Sequence, residues 1–348
     1  MKKIEKLDAI RGLVALYVMF HHIFYAMNFE VGDFYVGGIF GYGSAAVMVF
    51  FILSGFVIQY SHQQAKDQSF KLFFFKRFFR IYIPLICVFI LNFFILYIEG
   101  KAFGINDCID LIGNLIMLQD TPLINPNHTV FDCFLGNGPL WSLTFEWWFY
   151  IFYFFLYKYK RNQASLIVYT LAIISALTII YPIFLNRFFI FLVLWWSGVE
   201  IAKLYTANKK ITFITMLKPL SVILICTIVM NFILRTDFDN TYRGVFTPSY
   251  NGLKYGLMVL CGGIIWHYFK WRFFNQTIGV FKYFANISYG IYISHWFLVS
   301  HASYLNFIDN SIIRYSLYIL ICFAFSYLIE RVIYVRLNKY FMKRIFHK

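Results

Sequence analysis

Ten separate apolar runs, each close to twenty residues long, recur along this 348-residue chain, and they constrain its fold more than any single motif. A helix of about 20 apolar residues spans the hydrocarbon of a bilayer. The runs read as 9–28, 41–61, 80–98, 140–157, 164–182, 187–204, 217–234, 252–269, 284–304 and 312–334. No soluble core hides a chain that is 61% hydrophobic and only 14% charged. The expected fold is therefore all-α, a polytopic transmembrane bundle of about ten spans, treated as a single domain over 1–348.

Charge gives the expected orientation. With the N-terminus inside, 25 of the 31 Lys and Arg residues fall in cytoplasmic segments and 6 in external ones. Both termini are then cytoplasmic. The net charge of +15 is spread over those inner segments rather than gathered in a basic module, so nucleic acid is not an expected partner. The opening Met-Lys-Lys-Ile-Glu-Lys resembles a signal n-region, but no small-residue cleavage site follows, and a retained helix is expected. Cys87, Cys226, Cys261 and Cys322 fall in apolar runs, whereas Cys108 and Cys133 share an external loop of about 99–139 and are candidates for a disulfide. A loop of that length is more often functional than idle.

Titratable groups in the bilayer are costly and mark function. The first run carries Arg11, His21 and His22, with Asp8 immediately ahead of it. Eleven residues separate Arg11 from His22, which returns to within roughly 20° of the same helix face, about 16 Å along the axis. His21 points roughly 100° away. Arg77 and Arg80, at i and i+3 before Pro84, present two forks suited to phosphate oxygens, although headgroup anchoring accounts for the same pair. Glu146, in Gly138-Pro-Leu-Trp-Ser-Leu-Thr-Phe-Glu146-Trp-Trp-Phe-Tyr150, lies about 9 Å below the external surface, and His22 about 10 Å. His295 rises about 15 Å from the inner end of the ninth run. An internal salt bridge for Glu146 and a packing hydrogen bond for His295 are the plainer alternatives. Glu200 and Glu330, near inner helix ends, read as partners of nearby Lys or Arg. Ser54-Gly55 reads as a close helix contact rather than a nucleophile. No metal signature, phosphate-binding glycine loop or nucleophile elbow is present.

Five segments in order resemble the acyltransferase-3 family of bacterial integral membrane acyltransferases. They are Arg11 and His22 in LDAIRGLVALYVMFHH, Phe50–Phe56 as FFILSGF, and the Arg77/Arg80 pair. The fourth is Trp141-Ser142-Leu143 with Glu146 and Tyr150, and the fifth is Ser288-Tyr-Gly-Ile-Tyr292-Ile-Ser-His295-Trp296. An acidic position common in the family's second-helix motif is Met48 here, and the soluble esterase-like domain of some relatives is not expected.

The resemblance implies acyl transfer, usually of acetyl, from cytoplasmic acyl-CoA to a hydroxyl of a cell-surface or lipid-linked glycan. It implies His22 as general base assisted by Glu146, and acyl-CoA phosphates held by Arg11, Arg77 and Arg80. Ser54, Trp141, Tyr150, Tyr292 and His295 are candidates to line the substrate channel. No permanently bound cofactor or metal is expected, and the location implied is the bacterial inner membrane. The rival reading is a proton-coupled transporter of a solute or glycan precursor, which would also line a mid-membrane path with such groups. It finds no inverted repeat in the sequence. A non-enzymatic scaffold is the third reading.

Overall fold

The computed structural model describes residues 4–27, 30–31, 34–120, 130–181, 183–236 and 240–346. Lys2, Lys3 and Lys348 of the inner charge set, and Pro122 and Pro126 of the external loop, lie outside these residues.

Among the described residues the regular structure is helical, apart from a short antiparallel ribbon of two residues per strand, β1 (Glu30–Val31) with β2 (Phe34–Tyr35). The helices are α1 (Glu5–Met27), α2 (Gly43–Gln63), α3 (Phe70–Ile98), α4 (Ile105–Leu115) and α5 (Trp141–Lys160). They continue as α6 (Ala164–Leu177), α7 (Phe184–Thr206), α8 (Leu217–Arg235), α9 (Asn240–Tyr268) and α10 (Phe274–Thr277). The last three are α11 (Ser288–His295), α12 (Ser311–Tyr327) and α13 (Tyr334–Phe346). Each expected run falls on helix, and six helical stretches among the described residues are long and apolar enough to cross a membrane. The remaining runs include the fourteen-residue α6 and the eight-residue α11.

Three expectations change in detail. The third run begins ten residues earlier than expected, at Phe70. Ser69 caps it by accepting from the Leu72 amide, so Arg77 lies inside α3 rather than ahead of it, and Arg80 lies well within it rather than at its first residue. Pro84 sits within that helix and lacks the N–H that would bond the Arg80 carbonyl. The ninth run is not one long helix but short 3₁₀ turns, α11, and a π-turn over Trp296–Ser300. The tenth continues past its expected end through a second π-turn, Leu328–Ile333, into the amphipathic α13.

The loop expected on the external side, about 99–139, is not a simple connector. It carries α4 and then turns back into the bundle, where Met117 and Gln119 are buried. Gln119 donates to the Leu140 carbonyl at 2.9 Å and its own carbonyl accepts from Thr144. Trp148 donates to the Met117 carbonyl, and Asp120 pairs with Arg187 at 3.0 Å. These bonds fix where α5 begins. Cys108 and Cys133 are both free thiols.

The centre of the bundle is the α2–α7 crossing. A Cβ on Gly55 would stand 1.9 Å from the Trp195 carbonyl oxygen, and one on Gly198 would stand 1.9 Å from that of Ile52. Two glycines thus let two backbones touch, which is how helices pack where burial from water supplies no drive. Around this contact the core is aromatic. The Phe51 ring meets the rings of Trp141, Phe145, Phe149 and Phe191 within 6.5 Å, mostly edge-on.

Candidate active site

α1, α2, α3, α5, α11 and α13 enclose a cavity of about 520 Å³. Arg11, Lys76, Arg77 and Arg80 supply its basic wall, and Ser54, Ser142, Glu146, Tyr150 and Tyr292 its hydrogen-bonding wall.

The three arginines have different partners. Arg80 forks onto Glu330, which is 3% exposed and also accepts from the Gly290 amide at 2.8 Å. Its guanidinium lies 5.4 Å from the Tyr289 ring and 5.2 Å from that of Tyr334. The π-turn of the tenth run is what carries Glu330 to this point. Arg11 stands 3.8 Å from Asp8. Arg77 donates to the Ser61 hydroxyl at 2.9 Å, lies over the Phe73 ring, and has no carboxylate partner among the described residues. Of the three, Arg77 has the fork most open to an anion, and Arg80 is already engaged by a carboxylate.

On the other wall, Ser54 donates to Glu146 Oε1 at 2.8 Å, Tyr150 donates to the same oxygen, and Trp195 Nε1 donates to Ser54 Oγ at 3.1 Å. Three side chains from α2, α5 and α7 therefore hold the carboxylate in place. Its neighbours are hydroxyls, not His22 and not an arginine fork. Tyr292 shares a 2.8 Å hydrogen bond with Ser142 and donates to the Pro139 carbonyl.

His22 lies outside this cavity, in a cluster of rings. It stacks on His295 with centroids 5.2 Å apart, meets Trp296 edge-on at 5.1 Å, and touches His21 at 5.0 Å. Trp296 stacks on His301 at 4.0 Å and covers Gly138, ahead of α5. His295 is wholly buried, and its Nδ1 bonds the Ile291 carbonyl at 3.0 Å. A carbonyl only accepts, so Nδ1 carries the proton and Nε2 keeps its lone pair. That Nε2 has no hydrogen-bond partner among the described residues. No hydrogen bond joins His22 to any described residue, whereas His21 Nδ1 bonds the Phe40 carbonyl. Tyr292 joins the two regions: it lines the cavity, and its ring is 6.2 Å from that of His295.

The arrangement brings together Arg11, Arg77, Arg80, Ser54, Glu146, Tyr150 and Tyr292, and separately pairs His22 with His295. Trp141 does not line the cavity; its ring packs in the aromatic layer with Phe51 and Phe191. Met48, the departure from the family pattern, lies against Gly252 of α9. Gly55 forms the close helix contact read from the sequence, although Ser54 beside it faces the cavity. Lys76, Tyr289, Tyr334 and Asn338 on the cavity wall, and His301 in the cluster, were not singled out as site residues. Lys76 at i−4 from Arg80 carried a helical signal, whereas Asn338 and His301 carried none. Among the described residues no group of three or more His, Cys, Asp or Glu side chains is placed to hold a metal.

A family model described as an acyltransferase domain matches residues 4–331, nearly the whole chain. The chain belongs to the acyltransferase-3 family. No curated protein and no solved structure matches it significantly. Family membership and the apolar helices together make this a multi-pass membrane acyltransferase. In this acyltransferase the five segments that resemble the family converge on the cavity and on the histidine cluster beside it.

Proposed function

We propose that the protein moves an acyl group, acetyl in the simplest case, from cytoplasmic acyl-CoA to a hydroxyl of a cell-surface or lipid-linked glycan. The topology proposed with it has ten spans in the inner membrane and both termini in the cytoplasm, supported by the 25-to-6 division of Lys and Arg. Arg77, Arg11 and Lys76 hold the phosphates of the thioester substrate, and Arg80, already paired with Glu330, sets the shape of that wall. The acyl arm extends along the cavity past Tyr292. At the histidine cluster the imidazole of His22 takes the proton of the acceptor hydroxyl as its oxygen attacks the thioester carbonyl. The carbon–sulfur bond then breaks, and the departing thiolate regains a proton from the imidazolium. His295, stacked on His22 with its own tautomer fixed, positions that ring. Glu146 orders Ser54 and Tyr150 on the path of the acyl arm, a role different from the direct assistance to His22 expected from the sequence.

The observation that carries this reading is the placement of Tyr292. It stands on the wall of the arginine-lined cavity and, by its ring, against the histidine pair. The test is mass spectrometry of surface glycans from cells with the wild-type gene, a His22→Ala copy at equal protein level, or no gene. An acyl mark seen only with wild type supports the reading and names the donor group and the acceptor. A mark that survives in His22→Ala removes the role given to that histidine. An unchanged glycan profile in all three strains removes the acceptor class.

A further inference from the structure

The inner ends of α2, α5 and α7, where the start of α1 packs on Phe56, Tyr60 and Ala202, hold a second void. It shares no lining residue with the arginine cavity. An inner pocket of about 210 Å³ is walled by Gln59, Gln63, Tyr157, Arg161, Trp196 and Lys203, among others. It continues into a groove of about 690 Å³, because Gln63, Tyr157, Arg161 and Lys203 line both.

The lining is rich in donors and positive. Neither part is lined by an Asp or Glu side chain. Arg161 lies 4.9 Å over the Tyr157 ring and has no carboxylate partner among the described residues. Lys203 pairs with Glu200 at 2.9 Å while lying over the Trp196 ring. Gln59 is wholly buried; its Oε1 accepts from Tyr153 at 2.7 Å, and its Nε2 donors have no partner among the described residues. A buried donor left unmade carries a desolvation cost that an acceptor from a ligand would remove. Two cations and amide donors around a small void match the several oxygens of a phosphate better than the two of a carboxylate. The lining contains no Leu, Ile, Val or Phe side chain to hold an acyl tail.

We infer that this second void binds a water-soluble, phosphate-bearing ligand at the end of the bundle that carries the N-terminus, apart from the acyl-transfer cavity. Tyr205 on the groove offers an exposed ring to a planar group attached to that phosphate, so a nucleoside monophosphate fits better than phosphate alone.

The test titrates the full-length protein, purified in detergent, with inorganic phosphate, adenosine monophosphate and adenosine, read by calorimetry. Both phosphate-bearing probes are expected to bind, the nucleotide more tightly, and adenosine is expected not to bind. Arg161→Gln, an exposed position, is expected to weaken binding about tenfold through loss of a charge-assisted hydrogen bond. Gln59→Met is expected to act in the same direction. Arg77→Gln removes the phosphate contact proposed for the arginine cavity, so the binding that survives in Arg77→Gln reports on the second void. Should Gln59→Met fail to fold, Arg161→Gln carries the test. The inference falls if neither probe binds the wild type. It also falls if Arg77→Gln abolishes binding while Arg161→Gln retains it, which would place the anion in the arginine cavity. A third outcome against it is competition by phosphatidylglycerol nanodiscs but not by phosphate, which marks a lipid site. Because the two voids share no residue, loss of binding in Arg161→Gln bears on this inference and not on the acyl-transfer reading.

Discussion

The arginine-lined cavity and the histidine cluster are neighbours, yet they are built on opposite principles. The cavity is roomy, and its charged groups are held at its rim by partners of very different strength. Arg80 is clamped by Glu330 and two tyrosine rings, whereas Arg77 has the Ser61 hydroxyl and the Phe73 ring but no carboxylate among the described residues. The cluster is tight. His22, His295, Trp296 and His301 lie ring against ring, and the one nitrogen of His295 that the backbone does not hold is left unbonded. A space that holds charge must leave forks free, and a space that moves a proton must fix rings. On the function proposed above, the difference assigns binding and chemistry to separate compartments, with Tyr292 standing between them.

Substitution on each side breaks the comparison in a different observable. The largest effect is expected from His22→Ala, which removes the proposed base and should lower the rate of acyl transfer by about 10²–10⁴. Thioester binding, measured separately by titration, should stay within twofold or so, because His22 does not line the cavity. A matching loss of thioester affinity would merge the two compartments.

Next comes the contrast within the arginine wall. Arg80→Ala leaves the Glu330 carboxylate buried without its ion pair, a cost of about 3–5 kcal/mol, read as a fall in melting temperature. Arg77→Ala leaves no such orphan. It should keep the melting temperature and raise KM for acyl-CoA instead. Equal destabilisation by both variants would mean that Arg77 is as structural as Arg80.

Gly55→Ala tests the scaffold shared by both regions. Its added methyl would meet the Trp195 carbonyl at 1.9 Å, so α2 and α7 must part, at about 1–3 kcal/mol. Ser54 moves with α2, and a drop in both stability and turnover is expected. Smallest is Tyr292→Phe, which deletes the hydroxyl that bonds Ser142 and the Pro139 carbonyl. About 1 kcal/mol is at stake, a severalfold slowing of transfer with the melting temperature nearly kept. A variant indistinguishable from wild type would show that the ring, not the hydroxyl, makes the connection.

Much of the architecture was legible before any coordinates. Long apolar runs require helices because backbone groups in lipid must be satisfied within the segment. Arg11 and Glu146 stood out because charged groups in such runs are expensive and therefore rare, Arg77 and Arg80 by their i, i+3 spacing, and Tyr292 through the family resemblance; all five line the cavity. The same reasoning assigned Glu330 and Glu200 to nearby cations, and each has one, Arg80 and Lys203. What sequence reasoning missed lies where helices are not regular. Two π-turns, in the ninth and tenth runs, carry His301 beside Trp296 and Glu330 beside Arg80. A period of 3.6 residues does not forecast a turn of a different width. The re-entrant stretch of the external loop was hidden for another reason. Its hold on α5 comes from backbone carbonyls, at Met117 and Gln119, which every residue type possesses.

By itself, then, the sequence determined that this chain lives in a membrane as helices, which way its charges orient it if the usual rule applies, and which scarce polar residues matter. Periodicity and the cost of polar groups in lipid are local properties, and local properties can be read along a line. Only the tertiary structure decided that Glu146 is held by Ser54 and Tyr150 rather than by His22, that Trp141 belongs to the core, and that the histidines stand outside the arginine cavity. Those outcomes depend on which helix faces meet, and on two glycines at one crossing that let α2 and α7 approach to backbone contact.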